Sequence, residues 1–250
     1  MLKMVVSDFY DTLINNDEAI SINTMLSIDN IRNNNILFVV ATSKNLRTIL
    51  DYNESYIFSD YIISYNGAYV YDTNKDIVLF KKTIPTTSVR KIAKFGAKNI
   101  GFLTLNDTFY IGEDKNYNFP IKIGDVDEFI DFHKKDIYEI VIYDSKAKLK
   151  NYMSILDDMN INYIDRDKYI EIVPSNSDKL SGVKVICKEK GIKLDEVLSI
   201  GASINDFKLI NNTFGTCVKN ASNDIKKICK YKSKYNNTNG VREILEKYYN

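Results

Sequence analysis

A chain of 250 residues, 44% hydrophobic and 27% charged, can bury one large core or two small ones, which excludes disorder as its dominant state. Lys and Arg number 34 and Asp and Glu 33, and the resulting net charge of +1 argues against a generally basic nucleic-acid binder. No apolar run approaches the ~20 residues of a membrane helix, and Asp8 arrives before a signal-peptide apolar stretch can form. A soluble, cytoplasmic protein with neither a nucleic-acid nor a membrane partner is expected.

Side-chain inventory narrows the chemistry further. Three widely spaced cysteines, Cys187, Cys217 and Cys229, suggest no disulfide framework, and no pair has zinc-ligand spacing. The single histidine, His133, excludes a histidine-rich metal site; beside Phe129, Ile130 and Phe132 it reads as the end of an amphipathic helix.

The first part of the chain alternates strands and helices. Lys3–Ser7 is a short apolar strand that runs into Asp8. Residues 20–33 carry apolar side chains near helical spacing, and Asn33-Asn34-Asn35 is a helix stop. Ile36–Ala41 is apolar throughout, as a strand covered on both faces must be. A helix over Leu46–Tyr52 and a strand over Tyr61–Ser64 follow, and Asn66-Gly67 turns the chain into Ala68–Tyr71.

The middle part changes character. Helices are expected over Val89–Phe95, Val126–Phe132 and Ala147–Met159. Strands are expected over Phe102–Leu105, Thr108–Ile111 and Tyr138–Tyr143, with a closing hairpin of Tyr163–Asp165 and Tyr169–Val173.

The last part returns to alternation. Ser181–Lys190 is a helix ended by Gly191, Glu196–Ile200 a strand, Gly201–Asp206 a loop, and a helix begins at Asp206. Gly215–Val218 is a strand, and Asn223–Cys229 and Val241–Tyr248 are helices. The pattern predicts an α/β protein: a doubly wound parallel-sheet core over 1–82 and 178–250, interrupted by an α+β module over 83–177.

Four short motifs follow predicted strands or open a helix. Asp8-Phe9-Tyr10-Asp11-Thr12-Leu13 sits at a strand's carboxyl end, where ligands of open α/β sheets bind and where a carboxylate can act as a nucleophile. Thr42-Ser43-Lys44 offers hydroxyls and loop amides for a phosphate oxygen. Lys179, after Pro174-Ser175-Asn176-Ser177-Asp178, can neutralise a phosphate and a nearby aspartate. Gly201-Ala202-Ser203-Ile204-Asn205-Asp206 supplies oxygens suited to a hard cation. Alone, each is equally a helix cap, a turn or a solvated lysine.

In order, the four resemble haloacid dehalogenase-superfamily phosphatases, specifically the Cof-type group with a large α/β cap. That group shows Asp-x-Asp-Gly-Thr-Leu, Thr-Gly-Arg, Asn-Gly-Ala, a lysine after the cap and Gly-Asp-x-x-Asn-Asp. The corresponding stretches are Asp8–Leu13, Thr42–Lys44, Asn66–Ala68, Lys179 and Gly201–Asp206, echoed further by Asn220-Ala221 and Asn239-Gly240-Val241. The resemblance covers essentially the whole chain.

It implies a Rossmann-like core with an inserted cap that sets specificity, and a nucleophile at Asp8 that attacks a small phosphorylated metabolite. It places phosphate binding on Thr42, Ser43, Lys179 and Asn205, substrate contacts on Asn66 and Lys44, and Mg²⁺ on Asp8 and Asp206. Three departures matter. The usual acid/base aspartate is Tyr10, followed by Asp11 in place of glycine. The usual metal-ligating aspartate is Ala202. A protonating role then falls to Asp11, one residue out of register, or to Tyr10. Three readings follow: a phosphatase with weak or altered catalysis; a non-catalytic relative that binds a phosphorylated ligand or a protein partner; and a metal-independent dehalogenase-like hydrolase. Those dehalogenases also carry tyrosine two residues after the nucleophile, but their cap is helical and differently placed.

Overall fold

The computed structural model describes residues 2–14, 19–55, 58–112, 120–159 and 161–249. Among them the chain forms two compact units, one of Met1–Phe80 with Asp178–Asn250 and one of Lys81–Ser177.

The first unit opens with β1 (Met4–Asp8), α1 (Ile22–Asn33), β2 (Leu37–Ala41), α2 (Leu46–Ser55), β3 (Tyr61–Ser64), β4 (Tyr69–Asp72) and β5 (Ile77–Lys81). The second unit contains α3 (Thr86–Ala93), β6 (Asn99–Leu103), β7 (Thr108–Gly112), β8 (Ile121–Lys122), α4 (Val126–Phe132), β9 (Glu139–Tyr143), α5 (Lys146–Asp158), β10 (Tyr163–Asp165) and β11 (Tyr169–Ile172). The chain returns to the first unit through α6 (Lys179–Lys190), β12 (Val197–Gly201), α7 (Phe207–Asn212), β13 (Phe214–Cys217), α8 (Asn223–Ile228), β14 (Tyr231–Lys232) and α9 (Asn237–Tyr249).

The first unit is built on a sheet of order β14-β13-β12-β1-β2-β3-β4-β5. Its ladders from β14 to β3 are parallel, and β4 returns antiparallel to β3. The apolar runs of β1 and β2 are explained by burial on both faces: Met4, Val5, Val6, Phe38, Val39, Val40 and Ala41 are all inaccessible. After β1 the chain steps outward to β2 and β3, and after the second unit it resumes on the other side of β1 with β12. Strand order therefore reverses at β1, which opens a crevice at its carboxyl end.

The second unit is a six-stranded sheet of order β10-β11-β9-β6-β7-β8, antiparallel except for the β7–β8 pair. Ile100, Phe102, Ile140, Ile142, Ile170 and Ile172 pack against Val89, Ile92, Phe129, Ile130, Leu149, Tyr152 and Leu156 of its helices. This is the expected α/β fold, with an α+β module inserted into a doubly wound sheet.

The edge strands β5, β8 and β14 lie outside the sequence reading, and the central β6 (Asn99–Leu103) begins before the strand expected at Phe102–Leu105. The strands β5, β8 and β14 carry no clear alternation, and two of them are only two residues long. His133 caps α4 and packs between the rings of Phe109, Phe129 and Phe132. None of the described helices is long and apolar enough to cross a membrane.

Candidate active site

Asp8 is the last residue of β1. Its register partner is Ala41 at the end of β2, while Ser7 pairs with Ile200 of β12, so the ends of three strands meet at this carboxylate. Asp8 is buried. Its Oδ2 accepts from Thr12 Oγ1 at 3.1 Å, and its carbonyl accepts from Ser7 Oγ at 2.8 Å.

Beyond Asp8 the backbone cannot continue as a strand. Tyr10 stays extended (φ −71°, ψ 142°), while Asp11 takes a left-handed conformation (φ 57°). Two asparagines fix this turn. Asn220 Nδ2 donates to the Asp11 carbonyl at 2.7 Å, and Asn237 Nδ2 donates to the Ile14 carbonyl at 2.9 Å. Asn237 N–H in turn donates to Asn220 Oδ1 at 3.0 Å. The Asp11 side chain is exposed. Tyr10 packs edge-on to Phe9 and lies beneath the Lys44 ammonium, which is 5.7 Å from its ring centre.

Lys179 is the first residue of α6. The helix starts there because Asp178 caps it. Asp178 Oδ1 accepts from Ser181 N–H at 2.8 Å, and Ser181 Oγ accepts from Asp178 N–H at 3.1 Å, a reciprocal capping box. The Lys179 side chain is 2% exposed and donates from Nζ to Asp8 Oδ1 at 2.5 Å and to Asp206 Oδ1 at 2.6 Å.

Asp206 is wholly inaccessible. Its second oxygen accepts from the backbone N–H groups of Ala202 and Ser203, each at 2.9 Å. Gly201 makes this loop possible: a Cβ there would sit 2.6 Å from Asp206 Cβ and 2.8 Å from its Oδ2.

The remaining predicted residues divide. Thr42 is buried, takes Lys44 N–H on its Oγ1 at 3.1 Å, and accepts Asn66 N–H on its carbonyl at 3.1 Å. Asn66 is left-handed (φ 51°) and 4% exposed, and its Nδ2 is buried without a hydrogen-bond partner. Ser43 and Asn205 are half-buried and Lys44 is exposed. The ladders and loop bonds thus unite Asp8, Thr42, Lys179 and Asp206 at the carboxyl edge of the sheet. Asp11 is held there by its backbone only. Thr12 and Asn237 were missed by sequence reasoning; Thr12 lies within the first motif, but Asn237 carries no signal beyond an asparagine-rich stretch.

Two buried carboxylates share one ammonium. Burial and the neighbouring Asp206 charge push the Asp8 carboxyl up to about 6, against the pull of Lys179. Burial acts to lower the Lys179 ammonium, but Asp206 and Asp8 together hold it above the ordinary lysine range. The cluster therefore keeps its lysine charged and makes Asp8 a tunable base.

The oxygens present do not fit a resident Mg²⁺, which takes near-octahedral oxygen coordination. Ala202 contributes no side-chain oxygen, and its carbonyl already accepts Ser222 N–H at 2.8 Å. Both Asp206 oxygens are committed within the loop and to Lys179. Among the described residues no three His, Cys, Asp or Glu side chains converge as a metal-holding group. Lys179 bridges Asp8 and Asp206, the two expected metal ligands.

A buried carboxylate paired with a lysine stands at the switch point of this Rossmann-like sheet, where open α/β sheets hold their ligands. The chain belongs to the haloacid dehalogenase-like hydrolases, whose family model matches residues 5–245, and within them to the Cof-type group. It is 21% identical to the 5-amino-6-(5-phospho-D-ribitylamino)uracil phosphatase YitU of Bacillus subtilis, over 98% of this chain and 97% of that one. It is 23% identical to the phosphatase YcsE of the same organism, which carries the same activity name, over 98% and 94% of the two chains. A haloacid dehalogenase-like hydrolase from Bacteroides thetaiotaomicron has the same fold, with a TM-score of 0.85 at 21% identity over 99% of both chains.

Proposed function

We propose that the first unit hydrolyses phosphate monoesters of small metabolites through an aspartyl-phosphate on Asp8, at a rate reduced by Tyr10 and Ala202. One observation carries this reading: a buried, lysine-paired carboxylate stands at the strand-order reversal, with the buried Thr42 just past the end of the neighbouring β2. The relatives named as phosphatases support the substrate class.

In this reading an Asp8 oxygen attacks phosphorus, and the ester P–O bond breaks with its electron pair leaving on the alkoxide. Water then attacks the acyl-phosphate and restores the carboxylate. Lys179 offsets the charge that develops on the phosphoryl oxygens, with Thr42, Ser43 and Asn205 as further donors. The unpartnered Asn66 Nδ2 is a buried donor that a substrate oxygen can satisfy, and Lys44 offers a charge at the exposed rim. Asp11 is the carboxylate proposed to protonate the leaving group. The second unit is proposed as the cap that selects the substrate.

The departures set the scale. Loss of a positioned acid/base costs about 10²–10⁴ in rate. Loss of a metal that stabilises transition-state charge costs several kcal/mol more. These losses favour a second reading, in which the same pocket binds a phosphorylated ligand or a protein partner without turnover. Hydrolysis of an aryl phosphate, with Mg²⁺ and with chelator, beside Asp8→Asn, separates the two. Turnover abolished by Asp8→Asn supports the first reading, and retained phosphate binding without turnover supports the second.

A further inference from the structure

The sequence spacing of the cysteines suggests no pairing, yet the fold brings two of them together. Cys217 closes β13 and Cys229 follows α8, and their Sγ atoms lie 2.9 Å apart. Backbone bonds impose this approach. Lys230 N–H donates to the Gly215 carbonyl and Ser233 N–H to the Cys217 carbonyl, both at 2.8 Å, which pins β14 beside β13. Cys229 N–H donates to the Ile225 carbonyl at 3.1 Å. Cys217 is fully buried and Cys229 half-buried, so Cys229 is the more accessible of the pair.

The segment between them is part of the site's scaffold. Asn220 holds the Asp11 carbonyl, and Ser222 N–H donates to the Ala202 carbonyl. A covalent link between Cys217 and Cys229 would close a ring around both anchors.

We propose that Cys217 and Cys229 form a reversible dithiol–disulfide site that reacts with low-molecular-weight disulfides and clamps the segment supporting the Asp8 and Asp206 loops. The Cys229 thiolate attacks one sulfur of the small disulfide, forms a mixed disulfide and releases one thiolate. Cys217 then attacks the Cys229 sulfur and passes its proton to the second thiolate as that thiolate is expelled. The small disulfide is reduced to two thiols as the two cysteines are oxidised. Burial pushes the Cys217 thiol up to about 12, while Lys226 and Lys232 place positive charge beside it. Cys229, the less buried of the two, is the attacking sulfur and Cys217 the resolving one. Cys187, buried in α6 and raised to about 11, stands apart as an inert thiol.

The test exposes the folded full chain to oxidised glutathione and maps the products by mass spectrometry without reduction. The expected result is a Cys217–Cys229 cross-link that dithiothreitol reverses, with Cys187 unmodified. Cys217→Ser should accumulate one glutathione on Cys229, and Cys229→Ser should take none at Cys217. Cys217→Ala replaces the serine variant if a hydroxyl at this buried position prevents folding. Amide exchange in residues 9–13 and 201–206 should slow on oxidation and recover on reduction. A glutathione adduct that persists on Cys229 of the unsubstituted chain would overturn the proposal. So would a cross-link that forms only in urea, or exchange in both loops that oxidation leaves unchanged.

Discussion

Lys179 Nζ lies 2.5 Å from Asp8 Oδ1, joining the first residue of α6 to the last residue of β1 across 171 positions of chain. Because both groups are buried, the contact is a structural requirement as much as a chemical one. Removing one partner of a buried ion pair typically costs about 3–5 kcal/mol, since the other charge is left uncompensated. Lys179→Ala should lose stability of this order in urea unfolding. Lys179→Ala combined with Asp206→Asn should recover part of that loss, because one buried carboxylate charge is then gone. A single-variant loss below about 1 kcal/mol would show that the pair is solvated.

Titration of Asp8 should set the acid limb of activity. Its carboxyl is raised to about 6, so it is protonated below that pH and a nucleophile above it. Turnover of an aryl phosphate should therefore rise through pH 6 to a plateau. The carboxyl band in an infrared difference spectrum against Asp8→Asn should titrate over the same interval. For stability the sign is the reverse. The folded state binds this proton more tightly than the unfolded chain, so the contribution is greatest at acid pH and falls as pH rises from the ordinary aspartate value toward 6. An Asp8 midpoint near 4 would contradict both expectations.

The misfit to Mg²⁺ predicts a gain of binding on substitution. The unsubstituted chain should show no saturable heat with millimolar Mg²⁺ in calorimetry. Ala202→Asp places a third carboxylate beside Asp8 and Asp206. This variant should melt several degrees lower in chelator than in Mg²⁺, because the cation relieves repulsion among buried carboxylates. Adding Tyr10→Asp should raise Mg²⁺-dependent turnover by about 10²-fold or more. Tight Mg²⁺ binding to the unsubstituted chain would show that the present donors suffice.

Asp11 is the carboxylate left to protonate a leaving group. Asp11→Asn keeps the backbone carbonyl that Asn220 holds, so the fold should be unaffected. Turnover should fall by about 10²-fold if this side chain is the acid. Unchanged turnover would remove it from the mechanism.

Gly67 reports on how the lysine is delivered. It has φ +91°, and a Cβ there would lie 2.0 Å from the Asp178 carbonyl oxygen. Gly67→Ala should cost about 1–3 kcal/mol from backbone strain alone. It should also displace the residue that caps α6, and with it Lys179. Phosphate binding to this variant should weaken by more than the lost stability explains.

Much of this protein was legible in its sequence because local rules and global fold agree. Apolar runs at Ile36–Ala41 and before Asp8 mark strands covered on both faces, and the change of pattern over residues 83–177 marks the inserted module. The order of the motifs identified Asp8, Thr42, Lys179 and Asp206, which the sheet then brought to one edge. Residues Tyr10 and Ala202 were visible as departures for the same reason, since a motif fixes what each position should hold.

Tertiary structure decided the rest, because it depends on contacts that no local pattern encodes. The edge strands β8 and β14 exist only by pairing with β7 and β13, and two residues carry no period of their own. Asn237 reaches the Asp8 loop from 223 positions away. The two oxygens of Asp206 look available in sequence, and only the loop's backbone amides and Lys179 take them. Cys217 and Cys229 are distant by spacing, and they meet because a two-residue strand returns the chain beside β13. Sequence fixes which groups the chain owns, and packing fixes which of them are already spoken for.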